Sequence, residues 1–188
     1  MIIIGLTGTL GAGKGTVVEY LVSKQGFEHF SVRDYLLEEI RKRGLPENRD
    51  TMFTLGNQLR ALHTPSFVTD QLFNKAIQSG KNCVIESIRT PGEIDSLRKN
   101  KNFFLIAIDA DQYLRYQRVQ LRNSETDNIS FDIFRENEER EMNTTDPNKQ
   151  NLNKCIAMAD AVLLNNSTKE ELFLHLEIVL NKIECISA

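Results

Sequence analysis

The chain has 188 residues, 40% of them hydrophobic and 26% charged, with a formal net charge of −3. That length suits one domain with its own core, and the mild negative charge gives no basis for generic nucleic-acid or membrane-surface binding. Cys83, Cys155 and Cys185 are odd in number and lack C-x-x-C spacing, so neither a disulfide framework nor a zinc site is expected.

Ile2 to Leu6 is a β-branched run bounded by glycine, suited to a strand buried on both faces. It is too short for a signal peptide and lacks a basic leader, and no later stretch approaches the ~20 apolar residues of a membrane span. A cytoplasmic protein, monomeric or homodimeric, is expected. A glycine-rich stretch follows, GTLGAGKGT from Gly8 to Thr16. Val17, Val18, Leu21 and Val22 then form one face of a helix ending near Gly26. His29 to Val32 reads as a short second strand. Asp34 to Arg43 reads as a helix stopped by Gly44 and Pro46, with Ser31 placed to cap it.

Two further helices are predicted over Thr51 to Leu62 and Ser66 to Ser79, separated by Pro65. NCVIES (Asn82 to Ser87) and NFFLIAID (Asn102 to Asp109) are the next central strands, and Pro91 between them suits the first turn of a helix. Asp111 to Arg122 is helical and Ala161 to Leu164 is a last strand. Leu172, Leu176, Val179, Leu180 and Ile183 mark a closing helix. The alternation predicts an α/β fold: a three-layer parallel sheet of about five strands flanked by helices, as one domain over residues 1–188. Ser124 to Gln150 departs from this rhythm, with eight acidic and three basic residues. Phe131, Phe134 and Met142 suit one side of a short helix there, and a polar insertion of this kind reads as a mobile lid.

Gly8, Gly13 and Lys14 satisfy the phosphate-loop pattern G-x-x-x-x-G-K-[ST], but Gly15 stands where the hydroxyl belongs and Thr16 supplies it one residue later. Glycines let backbone N–H groups converge on an anion, and a helix starting near Gly13 adds its positive end. Lys14 adds a full charge. Between a buried strand and an amphipathic helix, the stretch predicts nucleotide binding through Gly8, Gly11, Ala12, Gly13, Lys14, Gly15 and Thr16. A glycine turn with an exposed lysine is the plain alternative.

The order G-x-x-G-x-G-K-G-T resembles the loop of the P-loop nucleoside monophosphate kinases, adenylate kinase among them, where glycine also follows the lysine. The resemblance implies ATP and Mg²⁺ as cofactors, an acceptor-binding helical region over about residues 33–80 and a lid over about residues 124–150. In that family Mg²⁺ is held mainly by phosphates and water. SVRD (Ser31 to Asp34) stands where the family carries S-T-G-D, although Leu37 replaces its following arginine. Arg33 and Asp34 are therefore candidate acceptor ligands, with a helix cap as the equal alternative. VIESIRTPGE (Val84 to Glu93) resembles the family's acid-then-arginine signature at a strand end, where open α/β sheets bind ligands. Glu86, with Thr16, is expected to hold the Mg²⁺ water shell, and Arg89 to grip the acceptor phosphate. A structural salt bridge is the alternative. Arg60 lies in the helical region expected to cover the acceptor, and arginine suits a phosphate well.

Arg115, Arg118 and Arg122 recur at i, i+3 and i+7, with only Asp111 inside that helix to pair with them. The resemblance implies that such arginines contact the transferring phosphate; Arg118 and Arg122 are taken as the candidates. Arg135 and Arg140 rank below them because Glu136, Glu138, Glu139 and Glu141 surround them. In LLNNSTKEEL (Leu163 to Leu172), Asn165 or Asn166 is placed to hydrogen-bond the base, Asn166 being the candidate, with a turn and cap as the alternative. His29, His63 and His175 share no spacing suited to a metal or catalytic pair.

The activity implied is transfer of the γ-phosphoryl group of ATP to a nucleoside monophosphate, with no nucleic-acid or membrane partner. Such transfer rests on positioning and charge neutralisation. A dephospho-coenzyme A kinase is the nearest alternative, since the opening and closing segments resemble it, but the second strand lacks its D-x-D element. The D-R-Y/H element of thymidylate kinases is also absent. A nucleotide-dependent switch ATPase without an acceptor is the alternative of another class.

Overall fold

In a computed structural model the described residues are 1–122 and 129–187. Residues 124–128 of the expected lid lie outside them. Five strands form one sheet: β1 (Ile3–Gly8), β2 (Glu28–Ser31), β3 (Cys83–Glu86), β4 (Phe103–Asp109) and β5 (Ala161–Leu164). Their order is β2-β3-β1-β4-β5, and every pairing is parallel. The three-layer α/β architecture expected from the alternation of strands and helices is the one present.

β1 is buried along its whole length because both neighbours and both faces are covered. Its alternating side chains feed two separate apolar layers. Ile3, with Ile85 and Leu105, faces α2 (Val32–Lys42), α3 (Arg49–Leu62), α4 (Phe67–Ser79), α5 (Pro91–Leu97) and α8 (Leu152–Ala157). Ile4 and Leu6, with Val84, Ile106 and Ile108, face α1 (Lys14–Gln25) and α9 (Lys169–Ser187). In α9, Leu172, Leu176, Leu180 and Ile183 supply the buried stripe. Burial on both faces explains why the strands read as continuous apolar runs.

Local chemistry fixes the helix ends. The Ser31 hydroxyl accepts from the Asp34 N–H at 3.1 Å, so Val32 begins α2 two residues before the expected start and β2 ends one residue before the expected end. Asn48 accepts from Thr51 N–H at 2.8 Å and starts α3 at Arg49. Thr90 and Glu93 form a reciprocal capping box, with Pro91 in the first turn of α5. α6 (Gln112–Leu121) is capped by Asp111. Part of the acidic insertion is the helix α7 (Phe131–Met142), as its aromatic spacing predicts, with Phe134 fully buried. α8 had no counterpart in the sequence pattern; at six residues it is too short to display a helical period. Among the described residues, no helix is long and apolar enough to cross a membrane.

β1 sits between β3 and β4, so the connections leaving β1 and β3 part to opposite sides of the sheet. The crevice beyond the carboxyl ends of these strands is where an open α/β sheet offers a binding site.

Candidate active site

The phosphate loop fills that crevice. Gly8 and Gly13 adopt φ values of 130° and 106°, a region that strains residues bearing a Cβ. A side chain would also have no room: a Cβ on Gly8 would run into the Ile108 carbonyl, and one on Gly13 into the Asn165 amide. Asn165 is buried, and its Nδ2 donates to Ala12 O at 2.9 Å. Thr9 Oγ1 donates to Asp109 at 2.6 Å. The loop is thus clamped from β4 and from the β5–α9 turn. Gly15 differs from the other loop glycines, since nothing among the described residues lies within 4 Å of where its side chain would start. α1 has no side-chain cap, leaving its first-turn N–H groups without intrahelical acceptors.

Lys14 Nζ donates to the carbonyls of Gly8 and Thr9, each at 2.8 Å. The residue keeps some surface, yet its ammonium is enclosed. Burial first, and then the charge of Arg89, brings its pKa down from an ordinary 10.5 to about 7, with Arg122 adding to the effect. Glu86 and Glu141 offset this only in part. The loop therefore carries positive potential that an anion would relieve.

Glu86 ends β3 on this side of the sheet. Its carboxylate lies 3.8 Å from His29 Nε2 and accepts from Ser87 Oγ at 3.3 Å. Neither contact saturates its oxygens, so it retains capacity for a cation. Among the described residues no group of three or more His, Cys, Asp or Glu side chains is gathered as a cation cage. Thr16 and Glu86 fit Mg²⁺ only as a partial shell completed by phosphate and water.

Beside the loop, and sharing Leu10 with it, is a cavity of about 370 Å³. Arg33, Arg49, Arg60, Arg89 and Arg122 line it together with an apolar wall of Val32, Leu36, Met52 and Phe53. Arg60 is buried, pairs with Glu93 at 3.4 Å and leaves its Nε without a partner among the described residues. Arg89 pairs with Glu141 of α7 and donates to Gln150 Oε1 at 3.0 Å. Arg49 reaches the same Glu141 carboxylate at 2.8 Å.

The structure therefore brings Arg33, Arg60, Arg89 and Arg122 into one cavity. Asp34 is exposed and does not line it, while its N–H is capped by Ser31. The three arginines of this stretch divide, Arg115 and Arg118 lying in α6 and Arg122 at its C-cap. Arg115 is buried; it donates to Ala110 O at 2.8 Å and Leu10 O at 3.3 Å and is gripped by Glu138 of α7. Its partner thus comes from another helix, which explains the scarcity of acids within α6. Arg118 is half-buried, outside the cavity lining, and its Nη1 has no partner among the described residues; burial lowers its pKa. Arg122 is exposed and lines the cavity. Asn166 is exposed and accepts from Asp111 N–H at 2.8 Å, joining the last turn to the start of α6. Arg135 and Arg140 form exposed pairs with Asp132 and Asp50.

A family model described as AAA domain matches residues 4–144, a span that takes in the loop, the cavity arginines and α7. A UPF0200 protein of Methanocaldococcus jannaschii is 31% identical over 191 residues, covering 97% of this chain and 91% of the relative. The chain belongs to the AAA domain and UPF0200 families. Another UPF0200 protein, from Pyrococcus abyssi, is 27% identical over 187 residues and covers 96% of each chain. Among solved structures, TT1252 from Thermus thermophilus superposes with a TM-score of 0.60 at 24% identity, covering 96% of this chain and 97% of that one. Shikimate kinase from Acinetobacter baumannii, solved in complex with shikimate, gives a TM-score of 0.55 at 16% identity over 97% and 94% of the two chains. These likenesses show the fold of a P-loop kinase-like domain, a broader group than the monophosphate kinases that the loop sequence resembles.

Sequence reasoning did not single out Arg49, Glu141 and Gln150 for the cavity, or Glu138 for Arg115. Arg49 and Glu141 are 92 positions apart, Arg89 and Glu141 52; no local spacing announces such pairs. Ser87 was also missed. It lines the cavity with φ at 70°, the one positive value among the described non-glycine residues.

Proposed function

We propose that this UPF0200 protein is an ATP-dependent small-molecule kinase that passes the γ-phosphoryl group to an anionic acceptor, a nucleoside monophosphate being the preferred class. The observation that carries this reading is the cavity. Five arginines and an apolar wall share Leu10 with a glycine loop built around a desolvated lysine. A volume of about 370 Å³ suits a small ligand. The mixture of guanidinium groups with Met52, Phe53, Leu36 and Val32 suits an anion attached to a flat, largely apolar body.

In this reading Lys14 and the loop amides hold the β- and γ-phosphates, and Arg89, Arg49 and Arg33 orient the acceptor. Arg122, near Lys14 and in the cavity lining, spreads charge over the transferring group; Arg118 is a further candidate on the same helix. Asn165 keeps the loop in shape, and Asn166 is placed near the base. Bound Mg²⁺, held through Thr16, Glu86, phosphate and water, would neutralise developing charge on the phosphates. An acceptor oxygen attacks the γ-phosphorus, the bond to the β–γ bridging oxygen breaks, and ADP leaves with that electron pair. An already ionised acceptor phosphate needs no general base. Glu141 places the end of the acidic helix α7 in the cavity wall, and in this role α7 would help to exclude water from the reacting groups.

The test is ADP production with Mg²⁺ and ATP across a panel of ribo- and deoxynucleoside monophosphates, dephospho-coenzyme A and shikimate. The last represents the carboxylate ligand of the Acinetobacter baumannii enzyme. ADP formed only with one or a few monophosphates is the expected result. Turnover restricted to dephospho-coenzyme A or shikimate replaces the acceptor class. Hydrolysis that is indifferent to every acceptor replaces the kinase with a switch ATPase.

A further inference from the structure

The cavity already contains an anion, and it belongs to the chain. Glu141 is on the last turn of α7, and its side chain is only 8% exposed. One carboxylate oxygen accepts from Arg49 Nη2 at 2.8 Å, and the other accepts from Arg89 Nη1. Arg49 comes from α3 and Arg89 from the β3–α5 connection, so the carboxylate ties three elements together. Despite its burial, the two guanidinium groups hold Glu141 below the usual carboxylate range. It is ionised where an acceptor's anionic group would be gripped.

The rest of α7 fixes that carboxylate in place. Phe134 is buried against Tyr116 and Phe131, and Glu138 grips Arg115 through both of its oxygens. Phe134, Glu138 and Glu141 follow one another at i, i+4 and i+7 on a single helical face. A carboxylate mounted in this way has already lost its freedom and competes for the arginines at a high effective concentration. A free anion must displace it from outside, with no such advantage. An anion attached to a body that packs on Val32, Leu36, Met52 and Phe53 has a second source of binding energy.

We propose that Glu141 is a specificity-determining residue: a resident competitor that makes the arginine cavity refuse small free anions and admit only an anion carried on an apolar body. The proposal rests on the kinase reading for the identity of the acceptor, but its physical core can be measured without ATP. A tethered carboxylate already occupies one donor of each of these two guanidinium groups, so inorganic phosphate gains little there by exchange, and the exchange becomes favourable only when the apolar wall is covered as well. Discrimination of this kind would keep inorganic phosphate from acting as a wasteful acceptor beside ATP.

The probe is inorganic phosphate, titrated calorimetrically into the nucleotide-free protein. In wild type, no saturable site that depends on Arg49 is expected. Glu141→Gln keeps the shape and removes the charge. It should open such a site, at least about tenfold tighter than the weakest binding the titration can resolve in wild type, the scale of a lost charge-assisted competitor. In the Glu141→Gln background, Arg49→Ala should abolish the new site while Lys14→Ala leaves it, which separates the cavity from the phosphate loop. Glu141→Asp, with the charge kept and the reach shortened, should fall between wild type and Glu141→Gln. The proposal is overturned if Glu141→Gln gains no phosphate site, or if the gained site follows Lys14 and ignores Arg49. It is overturned equally if wild type binds phosphate saturably in a site lost with Arg49→Ala, a measurement that stands should the glutamine variant fold poorly. Failure of every acceptor in the kinase panel would remove the proposed substrate class and leave these titrations to decide the role of Glu141.

Discussion

The phosphate loop and the arginine cavity are neighbours made in opposite ways. The loop is nine consecutive residues, Gly8 to Thr16, whose shape is set by the backbone angles of Gly8 and Gly13 and whose proposed binding groups are mainly peptide N–H groups. The cavity is assembled from side chains of α2, α3, the β3–α5 connection, α7 and the C-cap of α6, and its charges are arranged by contacts across the fold. A backbone site tolerates little change at a few positions. A side-chain site divides its work among many residues, so single changes there should alter selectivity before they abolish activity.

The largest expected effect tests the loop. Lys14→Ala should lower phosphoryl transfer by about a hundredfold or more, the scale seen when one preorganised donor that stabilises transition-state charge is removed. Because Lys14 is a desolvated cation with a depressed pKa, the change should leave the melting temperature intact or raise it. Transfer at the wild-type rate would remove the loop from the chemistry. Arg49→Ala tests the other side. Its guanidinium reaches Glu141 and lines the cavity but is not a part of the loop. The acceptor KM should rise about tenfold, consistent with one lost charge-assisted contact, with ATP affinity unchanged. A parallel fall in ATP affinity would mean that the two regions are not separable.

Lys14 also gives the comparison a pH dependence. The unfolded chain holds its lysine proton up to an ordinary 10.5, whereas the folded, ligand-free chain releases it near pH 7. Between those values the unfolded state binds more protons, so stability rises with pH across that window, and the penalty is fully present below about pH 7. Lys14→Met should flatten that rise in thermal melts. Polyphosphate binding favours the charged ammonium, so at pH 8 ATP should bind with net uptake of protons. Calorimetry in buffers of different ionisation enthalpy measures this, and Lys14→Met should lose the Lys14 share of it. If wild type and Lys14→Met take up the same number of protons, the loop is not the origin of the linkage.

The same contrast explains what could be read from the sequence. The glycine loop, all five strand positions and the α9 stripe are local patterns, and the apolar runs at Ile3–Gly8 and Phe103–Asp109 stand out because both faces of those strands are buried. Helix starts were less legible where a cap preceded the expected residue, as Asn48 does for α3. Arg33, Arg60, Arg89 and Arg122 could be picked out because they accompany recognisable segments. Glu141 stood among four glutamates in the stretch from Glu136 onward with nothing to distinguish it, since only the fold brings Arg49 and Arg89 to it. Asn165 and Asn166 show the limit most plainly. Adjacent and identical, one is buried under the loop and the other is exposed at a turn.

Ser87 provides the finest test, because it stands where backbone and side-chain construction meet. It follows β3, lines the cavity and holds φ at 70°, a region that costs a non-glycine residue of order 1 kcal/mol. Its hydroxyl donates to Glu86 at 3.3 Å, and its neighbour Ile88 N–H bonds to Leu6 O at 3.1 Å, holding the turn against β1. Ser87→Gly removes the strain and the hydroxyl together, whereas Ser87→Ala removes only the hydroxyl. Glycine's greater freedom in the unfolded chain offsets part of the relief, so Ser87→Gly should stabilise by less than about 1 kcal/mol, a rise of about 2 °C in a domain of this size. Ser87→Ala should melt at or below wild type. A glycine variant that melts well below wild type would show that the hydroxyl contact outweighs the backbone cost, placing Ser87 with the side-chain-built cavity and not with the strained backbone that precedes it.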